Sequence, residues 1–130
     1  MPLLRFNILL GRTDPEISRL LDAAHRAIVT AFGVPEGDRY QLVSEYREGT
    51  LTLLDTGLGI KRTNKVTLVE VTSRMRPEAQ KKRFYEILCE NLKEDCGIES
   101  SDIIVSFVEN GDADWSFGLG RAQFLTGELS

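Results

Sequence analysis

The sequence begins Met-Pro, and a proline in the second position can do chemistry that an internal proline cannot. Removal of Met1 by methionine aminopeptidase, which accepts a small second residue, would convert Pro2 into a free secondary amine. Such an amine can donate or accept a proton, or attack a carbonyl carbon. A plainer explanation also exists, because proline is tolerated at the first residue of a strand such as the apolar run that follows. Pro2 alone leaves both interpretations open.

Two arginines separated by one residue are the second candidate, in the stretch SRMRPE that contains Arg74 and Arg76. Alternation in an extended segment points both side chains to the same side. Their planar guanidinium groups can bind a carboxylate bidentately, so the pair could form a carboxylate clamp. The alternative is two solvated arginines that end a strand and pair with surface carboxylates.

Asp38 is the third candidate. It lies in the link between a predicted helix and a predicted strand, where aspartate commonly caps a turn. It would take part in chemistry only if it lay near Pro2, which neighbouring parallel strands allow. Other constellations are weaker. His25 is the only histidine and has no partner for a metal site, and Asp55 in LLDTGLG is interpreted as a turn residue rather than as the active-site turn of an aspartic protease.

The composition limits the classes of protein to which the chain can belong. Its 130 residues suit one domain, and 42% apolar and 28% charged residues are ordinary for a soluble globular protein. A net charge of −4 with scattered basic residues argues against a nucleic-acid partner. No apolar run suits a membrane span or a secretory signal. Cys89 and Cys96 lie about 10 Å apart on one predicted helix, which rules out a disulfide and indicates reduced thiols in the cytoplasm.

The chain repeats one pattern twice. In each copy a strand-like run precedes a helix with proline near its first turn, and a glycine then leads into a second strand. The β-α-β halves span about residues 2–46 and 65–110 of a single domain, 1–130, and an aromatic tail, 111–130, is either a loose end or a lid. The pattern predicts an α+β fold: a tandem β-α-β repeat with a four-stranded mixed sheet and both helices on one face. Between the halves, TLTLL predicts a short additional strand.

Two of the predicted strands are apolar at both alternating positions, in VTLVEV and in DIIVSFV. Such strands are buried on both faces. Because two helices cover only one face, the pattern predicts that other subunits cover the second face in a closed assembly.

Taken together, these features resemble the tautomerase superfamily, and within it the malonate semialdehyde decarboxylase group, over essentially the full length. The stretches that carry the resemblance are MPLLRF, GRTDPEI, LLDAAH, FGVPEGDRYQ, DTGLG, SRMRPE, DADWSFG and FLTGEL. The resemblance implies a homotrimer in which Pro2 is catalytic, Asp38 assists it, and Arg74 and Arg76 bind the substrate carboxylate. It also implies an apolar pocket wall, formed by Trp115, Phe117, Phe124 and Leu129.

The function that this resemblance implies is cofactor-free and metal-free conversion of malonate semialdehyde, a small 3-oxo acid, to acetaldehyde and CO2, with a low hydratase activity. Three alternatives stay open. A keto–enol tautomerase or a 3-haloacrylate dehalogenase would use the same scaffold, and a non-catalytic trimeric module would bind a carboxylate ligand without reaction.

Overall fold

A computed structural model describes residues 1–130 and shows a four-stranded sheet with two long helices. In chain order the elements are β1 (Leu3–Leu9), α1 (Asp14–Phe32), β2 (Tyr40–Tyr46), β3 (Thr67–Arg74), α2 (Glu78–Cys96), β4 (Ile103–Asn110) and α3 (Gln123–Thr126). The strand order is β2-β1-β3-β4. β1 is parallel to β2 and β3 is parallel to β4, whereas β1 and β3 are antiparallel. The predicted α+β fold with a mixed sheet is confirmed.

Local signals set the ends of both long helices. At the start of α1, the Thr13 hydroxyl accepts the N–H of Glu16 while the Glu16 carboxylate accepts the N–H of Thr13. This capping box satisfies two N–H groups that a helix otherwise leaves unpaired. Both helices end at a glycine with left-handed backbone, Gly33 at φ 67° and Gly97 at φ 65°. The helices that connect the parallel strands are therefore equally long, 19 residues each, as expected of a repeat.

A single core lies between the sheet and the two long helices. It contains 17 buried residues, drawn from both β-α-β halves. Every second residue of β1 enters it, and the large side chains of α2 pack opposite (Leu4, Phe6, Ile8, Phe84, Leu88 and Leu92). Full burial of one such side chain stabilises the fold by about 1.5–3 kcal/mol. The core therefore fixes β1, and with it the position of the residues that precede the strand.

The other face of the sheet carries polar as well as apolar side chains, although two of its strands are largely apolar at both alternating positions. At its centre the Asn7 amide donates to the Glu70 carboxylate at 2.9 Å, and the Tyr46 hydroxyl donates to the Asn7 carbonyl oxygen at 2.6 Å. Towards the edges, apolar side chains are exposed, with Leu42 at 42% and Val108 at 64%. This open face is thus a polar centre flanked by apolar side chains.

The link between the halves forms no strand, so the prediction for TLTLL is wrong. An alternating sequence gains strand structure only beside a partner, and no strand of this chain pairs with that segment. Asp55 is a turn residue, as predicted, because its carboxylate accepts the N–H groups of Gly57 at 3.1 Å and Gly59 at 2.9 Å.

After β4 the chain makes a short 3₁₀ turn, Asp112–Asp114, and then the single-turn helix α3. The sequence pattern did not predict α3, since one turn is too short to show a helical period. Neither long helix is apolar enough over its length to cross a membrane. Cys89 and Cys96 are free and half-buried, as expected of reduced thiols.

Candidate active site

The start of β1 lies between the ends of its two neighbouring strands. Leu3 pairs with Tyr40 on β2 and with Thr72 on β3. β2 is parallel to β1, so the residues just before Tyr40 lie beside Pro2. β3 is antiparallel to β1, so the residues just after Thr72 lie beside Pro2 on its other side. The register therefore brings the link that holds Asp38 and the β3 end that holds Arg74 to either side of Pro2, which is itself buried.

Asp38 lies next to the chain terminus. Its Oδ2 atom is 3.8 Å from the terminal nitrogen of Met1, and its side chain is only 3% exposed. Neither carboxylate oxygen accepts a hydrogen bond. Its backbone N–H donates to the Pro35 carbonyl at 3.0 Å, so the residue also belongs to the turn before β2. A buried carboxylate without donors is unfavourable unless cations lie nearby, and here they do.

The amine, the carboxylate and the arginines alter one another's protonation. Burial raises the pKa of Asp38 above its ordinary value of 3.8, while the terminal amine and Arg76 oppose that rise. Burial also lowers the pKa of the Met1 amine below its ordinary value of 8.0, the Asp38 charge opposing and the two arginines adding to the effect. A terminal amine in this pocket is therefore easier to deprotonate than one in water.

Arg74 and Arg76 both line an open cleft beside the terminus. Arg74 donates to the Asp112 carboxylate at 3.0 Å and to the Ser130 carbonyl at 3.1 Å, and Arg76 donates to the Phe32 carbonyl at 3.4 Å. The Nε atom of each is buried and has no partner. Burial and then the Arg74 charge lower the pKa of Arg76. Two neighbouring guanidinium groups with unused donors are suited to binding an anion.

Three of the predicted wall residues form a continuous aromatic cluster. Trp115 stacks on Phe117 with ring centroids 5.4 Å apart, and Phe117 meets Phe124 edge-on at 5.5 Å. The guanidinium carbon of Arg74 lies 3.6 Å from the centroid of the Phe124 ring. Tyr40, which the sequence analysis missed, packs 5.6 Å from Phe117. The tail therefore docks beside the arginines, as the lid interpretation expects.

The fourth predicted wall residue, Leu129, is half-buried, and its N–H donates to the Gln123 carbonyl at 3.1 Å. Its contact with a substrate stays a prediction. Gln123 is a residue that the sequence analysis missed. Its side-chain oxygen accepts the Phe117 N–H at 2.9 Å, and its amide donates to the Gly118 carbonyl at 3.0 Å. A buried glutamine in a polar tail leaves no periodic signal, so only the structure identifies this support of the aromatic cluster.

His25 lines the same crevice as Pro2 and Asp38. Its Nε2 atom is 2.8 Å from the Glu36 carbonyl oxygen, and because a carbonyl only accepts, Nε2 carries the proton. The ring thus braces the turn that positions Asp38. This contact, which joins α1 to the link before β2, was not predicted from the sequence.

Replacing Asp38 by asparagine is expected to stabilise the fold at pH 7 by about 1 kcal/mol, because a buried charge without donors becomes a neutral amide. Folding raises the pKa of Asp38, so the charged carboxylate destabilises the folded state at any pH above that raised pKa. This destabilisation disappears as the pH falls towards 3.8, where the side chain is protonated in the folded state. Thermal unfolding at pH 7 and near pH 4 measures this difference, with the exposed Glu86→Gln as a control. A variant less stable than the wild type at pH 7 would show that attraction to the amine outweighs burial.

Two family models, each described as tautomerase enzyme, match the chain over residues 38–118 and 2–60. Among curated relatives, the probable tautomerase YrdN of Bacillus subtilis (strain 168) is 54% identical over 129 residues. That alignment covers 99% of this chain and 100% of the relative.

Solved structures give the same grouping. A malonate semialdehyde decarboxylase studied for its decarboxylase and hydratase activities superposes with a TM-score of 0.97 at 58% identity, covering 98% of this chain and 99% of that one. FG41 malonate semialdehyde decarboxylase inhibited by 3-bromopropiolate gives 0.94 at 32% identity, covering 98% of each chain. A symmetric trimer of fused 4-OT shares the fold, with a TM-score of 0.77 at 21% identity over 96% of this chain and 98% of that one. The chain belongs to the tautomerase superfamily and groups there with the malonate semialdehyde decarboxylases.

Proposed function

We propose that this chain is a cofactor-free decarboxylase that converts malonate semialdehyde (3-oxopropanoate) to acetaldehyde and CO2. The observation that carries the proposal is the meeting of a terminal amine, a buried carboxylate and two arginines at one end of the sheet. The similarity to two solved malonate semialdehyde decarboxylases supports the same substrate.

The reaction needs an electron sink and a fixed carboxylate. The bond between the carboxylate carbon and C2 breaks, and its electron pair passes to C2 and on to the carbonyl oxygen. CO2 leaves, and the enolate takes one proton at C2 to give acetaldehyde. A group that hydrogen-bonds the carbonyl or replaces it with a stronger acceptor accelerates this step.

The Pro2 amine can supply the sink in either protonation state. As an ammonium it donates a hydrogen bond to the aldehyde oxygen. As a neutral amine it attacks the aldehyde carbon and loses water to form an iminium ion, which takes the electron pair more readily. The surroundings act in both directions on the Met1 amine, whose pKa is lowered by burial and the arginines while Asp38 opposes the shift. A free Pro2 amine would meet the same groups. Borohydride reduction distinguishes the two, because only an iminium ion is trapped on Pro2 as a stable adduct.

Arg74 and Arg76 would hold the carboxylate so that the breaking bond stands perpendicular to the carbonyl plane. Binding accelerates the reaction only to the extent that it favours this geometry. The aromatic cluster of Trp115, Phe117 and Phe124 limits solvation of the carboxylate. That favours a step in which the carboxylate loses its charge as CO2 forms. Asp38 could also direct a water molecule, which is the basis for a low hydratase activity.

A keto–enol tautomerase is the second candidate, and the 54% identity to a probable tautomerase favours it. The same amine would then move a proton between carbon and oxygen with no bond to carbon broken. A panel of malonate semialdehyde, phenylpyruvate and 3-chloroacrylates separates the candidates. We expect the highest kcat/KM with malonate semialdehyde. A higher kcat/KM with phenylpyruvate would indicate a tautomerase, and a higher kcat/KM with 3-chloroacrylates would indicate a dehalogenase. A protein without activity on any of the three would be a carboxylate-binding module.

We further propose that the working form is a homotrimer located in the cytoplasm, where the two free thiols stay reduced. The exposed apolar side chains on the open sheet face, among them Leu42 and Val108, support association. The number three comes from the family resemblance, and a fused 4-OT of the same fold that forms a symmetric trimer supports it.

Stability should therefore depend on protein concentration, with the melting temperature rising as the protein is concentrated. Light scattering after size exclusion at micromolar protein should give about three chain masses. Val108→Asp should shift the protein towards smaller species, because a charge on this face would have to be desolvated on assembly. A wild type that runs as a stable single chain would contradict the proposal.

A further inference from the structure

A second cavity lies at the end of the sheet opposite Pro2. Its volume is 210 Å³, and its walls are the residues after β1, the first turns of α1, the residues before β3 and the end of α2. The seven residues of β1 separate it from the candidate active site by about 20 Å. None of the residues placed in the candidate active site lines it.

Three cationic side chains line this cavity: Arg12, Arg19 and Lys65. None of them takes part in an ion pair, although the chain forms eight ion pairs. Nine of the 16 lysines and arginines form no ion pair, and three of those nine line this one cavity. Their charge is thus available to an anion.

The two carboxylates at the cavity are engaged with other groups. Glu16 accepts the Thr13 N–H as part of the capping box of α1, and Asp95 pairs with Arg26 on the helix surface. Neither carboxylate forms an ion pair with the cavity cations. With three cations and two carboxylates, the lining carries a small net positive charge.

Arg12 is the most constrained of the three cations. Its Nη2 atom donates to the Lys65 carbonyl at 2.7 Å and to the Thr67 hydroxyl at 3.1 Å, while its Nη1 atom is buried and has no partner. Burial lowers the pKa of the guanidinium in spite of the neighbouring Cys96 and Glu16. The side chain is thus held in place, and its Nη1 atom lacks the acceptor that a bound oxygen atom would supply.

We propose that this cavity is a second ligand site, which binds a small oxyanion carried by a phosphate or a carboxylate group. Arg12 provides the oriented donors, and Arg19 and Lys65 provide charge around the ligand. The buried side chains of Leu20 and Ile98 form an apolar base that accepts the ligand's carbon atoms. A ligand here would join all four elements that meet at this end of the sheet, so it would stabilise the folded state by binding.

The test is a titration of the full-length protein with inorganic phosphate and, separately, with benzoate, followed by calorimetry and by backbone amide NMR. The Arg74→Ala/Arg76→Ala double variant serves as the background, so that binding at the candidate active site does not contribute. We expect shifts centred on Gly11, Arg12 and Lys65, and an affinity that falls as salt is added. Tighter phosphate binding would indicate a phosphorylated ligand, and tighter benzoate binding an organic acid.

Arg19→Gln and Lys65→Gln keep the Arg12 side-chain contacts and should each weaken binding roughly fivefold to tenfold. The exposed Arg83→Gln on α2 removes the same charge away from the cavity and should leave the affinity unchanged. The proposal would be overturned if neither probe shifted the cavity amides at millimolar concentration. It would also be overturned if Arg83→Gln weakened binding as much as Arg19→Gln and Lys65→Gln do.

Discussion

The Pro2→Ala enzyme is expected to decarboxylate malonate semialdehyde about two to four orders of magnitude more slowly than the wild type. Alanine in this position still leaves a terminal amine once Met1 is removed, but a primary and more mobile one, so some residual rate is expected. Retention of Met1 should have a similar effect, because the Pro2 nitrogen is then an amide with no proton to give and no free electron pair. Steady-state kinetics, with intact mass measured on each preparation, tests both statements.

Pro15→Ala is the matched control. Pro15 is exposed in the first turn of α1, at the end of the sheet opposite Pro2, and its replacement should leave kcat/KM unchanged. If Pro2→Ala decarboxylated at a near wild-type rate in a preparation free of Met1, the secondary amine of Pro2 would not be required for the reaction.

Arg74→Ala and Arg76→Ala should each lower kcat/KM by roughly one to two orders of magnitude, since a charge-assisted contact contributes about 1.5–3 kcal/mol. The Arg76 guanidinium contacts only Phe32, through the backbone carbonyl and at 4.9 Å from the ring centroid, and it has no contact with the tail, so its loss should act mainly through the substrate. Arg74 also contacts Asp112 and the Phe124 ring, so its loss should loosen the tail as well. Lysine at either position keeps the positive charge but cannot bind a carboxylate with two parallel N–H groups, so it should restore only part of the rate.

The exposed Arg83→Ala on α2 controls for the loss of one positive charge and should behave as the wild type does. Malonate, a dicarboxylate that cannot react as an aldehyde, measures the clamp without catalysis. If both variants bound malonate as tightly as the wild type, the arginines would not hold the carboxylate.

Much of the fold could be predicted because its signals are local. Thr13, Gly33 and Gly97 mark helix ends through contacts within a few residues of themselves. The alternation in β1 likewise identifies the face that meets the helices. The segment TLTLL shows the limit of such signals, because its alternating pattern is local whereas a strand needs a partner from elsewhere in the chain.

The candidate site depended on long-range pairing, which local patterns do not encode. Pro2 lies between Asp38 and Arg74 because β1 pairs in opposite senses with β2 and β3, over separations of many residues. The resemblance supplied these residues, and the register explains why they meet. Tyr40, Gln123 and His25 support the site through one or two side-chain contacts each, so no pattern in the sequence indicated them.

The most direct test uses NMR to follow malonate semialdehyde labelled in its carboxyl carbon, in protein preparations whose different fractions of retained Met1 are measured by intact mass. We expect the label to leave as CO2 while an equal amount of acetaldehyde appears, at a rate proportional to the fraction of chains that begin at Pro2. Substrate that is consumed while the label stays in an organic product, or a rate independent of Met1 removal, would contradict the proposal.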